Sequence, residues 1–414
     1  MEEYLKTLLE QIRCKKARNV VEEEIRGHLE EQIEEYQMAG MDPKEAEKAA
    51  VLDMGDPVQT GISLDGIHRP RISWKLVIFV GVISLLSILI QTVIGISQDP
   101  AGGLAGGLNH DLYVLMGFAL MIFVYRLDYS FLGRNILWII LGFFLTLLIL
   151  RSLSMPVNGS YGWIVVGGAS FSLRALLYLW PPFYGALLYK YYGQGYKGIL
   201  KSFLWVLFPV WYAYTFPDIS LAFNLFFASM ILLSLAVFSG WFQIKKGRTL
   251  AAIWGGVLLL PALGLLWGVG FQKFADYQIA RLNFYLSGDF NTTSMLADSR
   301  WIGKGKPQDL TMDPKYSSGY MLSYLSAYYG ILTALLVAAL VLVLIFAAIK
   351  TSGKGKNRLG KMIGFASSLS LLLPAGINIL VNLGLFPAVN TFLPFLSKGN
   401  SYLLVSYVLL GLIL

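Results

Sequence analysis

The sequence predicts an all-α polytopic membrane protein of about ten transmembrane helices, preceded by a small helical soluble domain. Three observations predict it. Hydrophobic residues make up 56% of the 414-residue chain and charged residues only 14%, whereas soluble domains average about 25% charged. Long apolar runs recur from residue 74 onward, each near the roughly 20 residues that cross a bilayer as a helix. Charge is also divided unevenly. Residues 1–68 hold 16 of the 25 acidic and 8 of the 33 basic side chains, a net −8, and residues 69–414 hold 9 and 25, a net +16.

The first element, MEEYLKTLLEQIR, is amphipathic and charged. It lacks the basic start, apolar centre and small-residue cleavage site of a signal peptide. A second helix is expected from about Val20 to Met38, capped by Asn19 with Glu22 three residues on. Val21, Ile25, Leu29, Ile33 and Tyr36 recur along it at helical spacing and form one apolar stripe. A third helix is expected to start at Asp42-Pro43, with Asp42 as cap and Pro43 in the first turn, and to end at Gly55 and Pro57. Residues 1–68 therefore read as an acidic three-helix domain on the cytoplasmic side. Its charged faces are either simply solvated or a docking surface for a basic partner.

Membrane spans are expected near residues 74–97, 109–126, 132–152, 171–192, 197–216, 219–241, 247–271, 319–350, 360–387 and 400–414. The fourth is the least regular, since it contains Arg174, Pro181 and Pro182. With the N-terminus inside, one set of short loops collects the cations: Arg69, Arg71 and Lys75; Arg126 and Arg134; Lys190 and Lys197; Lys245, Lys246 and Arg248; Lys350, Lys354, Lys356, Arg358 and Lys361. This is the positive-inside pattern. The long loop 272–318 falls on the other face, and long loops often carry function.

Few groups are available for chemistry. The single cysteine, Cys14, permits no intrachain disulfide. His28, His68 and His110 lie far apart and show no zinc-ligand spacing. No glutamate follows Glu47. The membrane part carries nine carboxylates, all aspartates, at 99, 111, 128, 218, 276, 289, 298, 309 and 313.

Several segments, in order, are similar to the motifs of one family of membrane proteins. Gly117-Phe118-Ala119-Leu120-Met121 leads to Arg126-Leu127-Asp128-Tyr129, similar to the family's second span and its exit. Asn158 to Ile164 is similar to its "NGAxRWI" loop, and Pro217-Asp218-Ile219-Ser220-Leu221-Ala222 to "PDLGTA". Tyr277-Gln278, Arg281 and Leu286 resemble the start of its large extracellular loop, and Ser294 to Gly305 a shortened glycine-rich stretch. Leu383 to Pro387, then Leu393-Pro394-Phe395-Leu396-Ser397, resemble "LGLLPTTGLPLPFLSYGG", with Asn378 at the family's "NIG" asparagine. The resemblance is to the bacterial RodA/FtsW/SpoVE (SEDS) cell-wall family and covers roughly residues 74–414, and residues 1–68 resemble the permease-prefix (HAAS-type) module. It implies a bacterial plasma-membrane protein of peptidoglycan synthesis, cell shape or division. Lipid II or another undecaprenyl-linked precursor would be its substrate and a class B penicillin-binding protein its partner. No nucleic acid is implied.

The sequence departs from that family at its chemistry. Alignment on Pro314 and Gly330 puts the family's catalytic Asp at Gly319. A second motif loses its Glu to Leu177 and its Lys to Trp180. Intramembrane ionisable groups are costly and usually functional, so their loss implies altered chemistry.

The candidate residues each have two readings. Asp218 is either a substrate-facing carboxylate or a helix N-cap. Arg281 is either a diphosphate clamp or a solvated loop cation. Asp298, Asp309 and Asp313 are the carboxylates nearest in sequence to the vacated base position, and one could replace it. Tyr277, Gln278, Asn378 and Ser397 complete the substrate-binding candidates implied by the resemblance. No metal site is expected; a divalent cation, magnesium or manganese, enters only if the protein is catalytic. Two functions stay open: a glycosyltransferase with a displaced base, and a non-catalytic scaffold or regulator that binds a lipid-linked precursor or a penicillin-binding protein. A transporter of lipid precursors is a third, weaker alternative.

Overall fold

The structure is a computed structural model. It describes residues 1–12, 15–68, 73–98, 103–157, 160–166, 169–216, 218–270, 275–276, 279–280, 283, 299–305, 318–355, 357–387 and 389–414. The chain divides into two compact units, Met1–Ile72 and Ser73–Leu414.

The first unit has four helices: α1 (Glu2–Glu10), α2 (Lys15–Met38), α3 (Pro43–Asp53) and α4 (Pro57–His68). Tyr4, Leu5, Leu8 and Ile12 meet Val21, Ile25 and Leu29 of α2 in its core, with Ile33 and Tyr36 packed alongside. The Asp42 carboxylate caps α3 by accepting from the Lys44 N–H at 3.3 Å. Two details correct the three-helix reading. Helix α2 already starts at Lys15, so Asn19 lies inside it and is not its cap. Pro57 does not end the helical region but opens α4. The Asp56 carboxylate accepts from the Val58 N–H at 2.9 Å, and proline needs no donor in a first turn. Gly61 then lets α4 close on α1, since a Cβ there would lie 2.6 Å from the Leu8 carbonyl oxygen.

The second unit begins with α5 (Trp74–Gln98), α6 (Gly103–Arg126) and α7 (Tyr129–Ser152). A three-stranded antiparallel sheet follows: β1 (Met155–Val157), β2 (Ser160–Val166) and β3 (Ala169–Ser172), in the order β1-β2-β3. Next come α8 (Leu173–Leu176), one 3₁₀ turn (Leu177–Leu179), α9 (Trp180–Lys190), α10 (Tyr196–Tyr214), α11 (Ile219–Phe238) and α12 (Lys246–Gly270). The C-terminal part holds α13 (Met321–Tyr329), α14 (Ile331–Gly353), α15 (Arg358–Asn382) and α16 (Asn400–Gly411).

Among the described residues, seven helices are long and apolar enough to cross a membrane: α5, α6, α7, α11, α12, α14 and α15. The fold is that of a multi-pass helical membrane protein. The fifth expected span is α10, 19 residues long with Pro209 inside it; the remaining differences are breaks or short helices. The fourth, drawn over 171–192, is a strand end, two short turns and α9, whose start carries Pro181 and Pro182. The eighth is divided at Gly330, whose φ of 101° stops α13 and starts α14. The tenth is the 12-residue α16.

Small residues bring these helices together, as expected where lipid supplies no hydrophobic drive between them. The Tyr407 ring of α16 lies over Gly117 of α6, and Gly411 sits against the Met121 carbonyl and Val124. Gly185 of α9 meets Met362 and Ala366 of α15. Two buried polar side chains tie neighbouring helices: Trp180 Nε1 donates to Ser229 Oγ at 3.0 Å, and the Tyr212 hydroxyl to the Leu147 carbonyl at 2.9 Å.

The contacts separate two ends of this unit. At one, the Arg358 guanidinium bonds the Tyr192 hydroxyl, Gly193 N–H donates to the Trp241 carbonyl, and Tyr129 lies on Gly360. This is the end where the short cationic loops collect. At the other, Arg151 bonds Thr215, Ser401 Oγ accepts from Ser172 N–H, and residues 390–397 reach Asp218, Ser220 and Ser318.

Candidate functional site

The candidate site is built at this second end around two points, the Gly319 turn and the Asp218 helix start. Gly319 sits in the turn just before α13. Its carbonyl accepts two amide donors from α15, Asn378 Nδ2 and Asn382 Nδ2, each at 2.9 Å. The asparagines are four residues apart and so share one helix face. Asn382 also accepts through Oδ1 from the Ser323 N–H at 2.9 Å and the Ser323 hydroxyl at 2.8 Å.

Ser397 fixes the neighbouring residue. Its hydroxyl donates to the Ser318 carbonyl at 2.8 Å and accepts from the Leu393 N–H at 2.7 Å. The Leu393–Ser397 segment is tightly wound: Phe395 has φ 66°, the one positive φ on a non-glycine among the described residues. Gln91 of α5 steadies it, donating to the Leu396 carbonyl at 2.7 Å.

Asp218 caps α11, accepting from the Leu221 N–H at 3.2 Å. It is 5% exposed. Arg174, entering from α8, stands 3.9 Å from Asp218 Oδ2 and 5.7 Å from the centre of the Phe216 ring. Asn390 Nδ2 reaches the same carboxylate at 3.5 Å. Burial pushes the Asp218 carboxyl above its ordinary value; the Leu221 N–H and Arg174 pull the other way. Tyr178, Phe392 and Tyr402 wall the area, the Phe392 and Tyr402 rings 4.6 Å apart.

One segment joins the two points. The Asn390 carbonyl accepts from Ser220 Oγ at 2.9 Å, beside Asp218, and the next carbonyl, of Thr391, lies 3.4 Å from where a Cβ on Gly319 would sit. That contact is ordinary van der Waals distance, and Gly319 has no left-handed φ. Nothing in the local backbone requires glycine there.

The structure thus gathers Asp218, Asn378, Ser397 and Gly319 at one end of the bundle. Tyr277, Gln278, Arg281, Asp298, Asp309 and Asp313 lie outside the described residues. Sequence reasoning did not single out Asn382 or Asn390, nor Arg174 as a partner of Asp218. Asn382 had a signal, being a second asparagine one turn after Asn378 in an apolar helix; Asn390 had none. Among the described residues, no three His, Cys, Asp or Glu side chains converge.

Residues 68–414 match the FtsW/RodA/SpoVE cell cycle protein family. The probable peptidoglycan glycosyltransferase FtsW of Halomonas elongata is 25% identical over 365 residues, 81% of this chain and 88% of that protein. A chain of a peptidoglycan synthase complex superposes with a TM-score of 0.66 at 18% identity, covering 82% of this chain and 96% of the other. The rod-shape-determining protein RodA of Thermus thermophilus gives 0.58 at 18% identity, over 84% of this chain and 97% of its own. With the family match covering the whole membrane unit, the chain belongs to the FtsW/RodA/SpoVE (SEDS) family of multi-pass membrane proteins of cell-wall synthesis.

Proposed function

We propose that this protein binds an undecaprenyl-linked peptidoglycan precursor at the Asp218–Gly319 end and does not itself polymerise it. The observation that carries this reading is the fixing of Gly319. The sequence resemblance implies the family's catalytic aspartate at this position, and Asn378 and Asn382 hold that residue's carbonyl in place. The position is anchored, yet it presents no carboxylate. Polymerisation needs a base to take the proton of the attacking sugar hydroxyl, a contribution of about 10²–10⁴-fold. Asp218, a described carboxylate at the same end, is engaged in capping α11 and facing Arg174.

A class B penicillin-binding protein is the partner this reading calls for, in keeping with the synthase complex among the similar structures. The N-terminus lies in the cytoplasm, as the cationic loops imply. The acidic N-terminal unit, with its permease-prefix resemblance, then acts in regulation.

The test uses purified full-length protein and fluorescent lipid II. Binding without polymer, alone and with the cognate penicillin-binding protein, is expected. Polymer from the unmodified protein would overturn the non-catalytic reading in favour of a displaced base, with magnesium or manganese dependence as its companion. Failure to bind any undecaprenyl-linked sugar would overturn the precursor site itself.

A further inference from the structure

A cavity of about 450 Å³ lies between α10, α11 and α12, at the other end of the membrane unit from Asp218 and Gly319. Phe203, Met230, Leu233 and Ile253 are typical of its lining, which is almost wholly apolar. Its polar groups stand together at one extremity: Tyr196 in the first turn of α10, and Arg248 and Thr249 in the first turn of α12. One of its walls is α12, the least buried of the seven long helices. Leu200 on its rim is exposed.

This arrangement matches one kind of occupant. An apolar slot open to the bilayer accepts a hydrocarbon chain, which fills the empty volume with van der Waals contacts. At the slot's end, a guanidinium suits a phosphate. Lys197, Lys201 and Lys245 are exposed close by in sequence. Between residues 191 and 257 the sole carboxylate is Asp218, at the opposite end of α11. Lys246 is already committed, donating to the Phe238 carbonyl at 3.1 Å, which leaves Arg248 as the cation lining the cavity. The surrounding lysines would repel the ammonium of a zwitterionic headgroup. We propose that this groove holds an acyl chain of an anionic phospholipid, with Arg248 on the headgroup phosphate. The site is independent of the precursor site and does not rest on it.

Native mass spectrometry of the delipidated full-length protein tests this, with phosphatidylglycerol and phosphatidylcholine of identical acyl chains as probes. Phosphatidylglycerol should be retained preferentially. Arg248→Gln should weaken that retention about fivefold, corresponding to the roughly 1 kcal/mol that one basic residue supplies near anionic lipid. Lys350→Gln, at the same end but outside the groove, should leave it unchanged. Met230→Trp, which fills the slot, should abolish retention; Ala252→Leu, on the lipid-facing side, is a second filling variant should the first fail to fold. Equal retention of the two lipids, equal loss in Arg248→Gln and Lys350→Gln, or complete displacement by inorganic phosphate would each overturn the proposal.

Discussion

The Asn382 side-chain amide donates to the Gly319 carbonyl at 2.9 Å, across 63 residues of chain. Asn382 is fully buried, and its hydrogen-bonding capacity is taken up. The amide also donates to the Asn378 carbonyl at 2.8 Å, and its oxygen receives both donors of Ser323. One side chain therefore ties the turn before α13, the first turns of α13 and the end of α15 into a unit. Anchoring of this kind keeps a residue at a fixed place beside segment 390–391.

Replacing Asn382 by leucine should destabilise the membrane unit. Its shape is nearly kept, but the Ser323 N–H and hydroxyl lose their acceptor in a buried setting, at about 1–3 kcal/mol per stranded group. Thermal unfolding in detergent should show a fall in midpoint of several degrees. Asn382→Asp should fall at least as far, because it keeps the Ser323 acceptor but turns a buried carboxylate on the Gly319 and Asn378 carbonyls that the amide now donates to. Equal midpoints for wild type and Asn382→Leu would remove the anchoring role.

The two glycines flanking α13 should behave oppositely. Gly319 has room for a Cβ, with Thr391 oxygen 3.4 Å away, so Gly319→Asp should fold with a midpoint close to wild type. Gly330 has φ 101°, and a Cβ there would lie 2.7 Å from the Trp301 carbonyl oxygen. Gly330→Ala should cost about 1–3 kcal/mol for the backbone conformation alone, since ψ is 155° and that region is essentially confined to glycine. It should also loosen segment 299–305, which bonds to the backbone around the break, and limited proteolysis near Trp301 would report that loosening.

Much of this architecture could be read from the chain because bilayer thickness turns composition into helix length. The runs at 74–97, 219–241 and 360–387 became helices for that reason. The sheet at 155–172 could not be read from apolar length, since its strands are only 3, 7 and 4 residues long. Its own signal was local: Asn158-Gly159 and Gly167-Gly168 separate β-rich runs at hairpin spacing. Asp218 was legible as a cap because aspartate before an apolar run has that chemistry. Its contacts with Arg174 and Asn390 were not, since they join residues 44 and 172 positions away and depend on tertiary packing alone.

Gly117 should be intolerant of any side chain. A Cβ there would lie 2.1 Å from the Tyr407 ring, whose hydroxyl is also paired with Ser84 Oγ. Gly117→Val would push α16 from α6 and break that pair. Overpacking costs typically about 1–3 kcal/mol, so a lower unfolding midpoint is expected, partly recovered by Tyr407→Ala in the double variant. A Gly117→Val protein as stable as wild type would show that this helix contact is adjustable.

In the N-terminal unit, Arg26 binds Glu2 and Glu22. The hydrogen bond from Arg26 is the main cause holding the Glu2 carboxyl below its ordinary value. A lowered acid stabilises the fold above its unfolded-state pKa, and that contribution disappears as pH falls through the folded value. The pair is exposed, so the effect is small and fades with salt. Carboxyl-carbon NMR should find Glu2 titrating below the usual glutamate range in the wild type and returning to it in Arg26→Gln. No change between the two would break the assignment.

Arg174 and Asp218 provide the most discriminating test of the site's electrostatics. They are 13% and 5% exposed, with 3.9 Å between nitrogen and oxygen, too long for a hydrogen bond. Their coupling should therefore be modest, about 1 kcal/mol in a double-mutant cycle, well below the several kcal/mol of an intimate buried pair. The single variants should be unequal. Arg174→Gln leaves the buried Asp218 with the Leu221 N–H and Asn390 as its described donors, and a carboxylate stripped of its counter-charge is expensive. Asp218→Asn leaves a cation that still lies over the Phe216 ring, and asparagine remains a good cap for α11. The expected order of unfolding midpoints is wild type, then Asp218→Asn, then Arg174→Gln, with the double variant above the sum of the two losses. Strict additivity would mean that the two side chains are neighbours without interaction, and Asp218 would then be a cap alone.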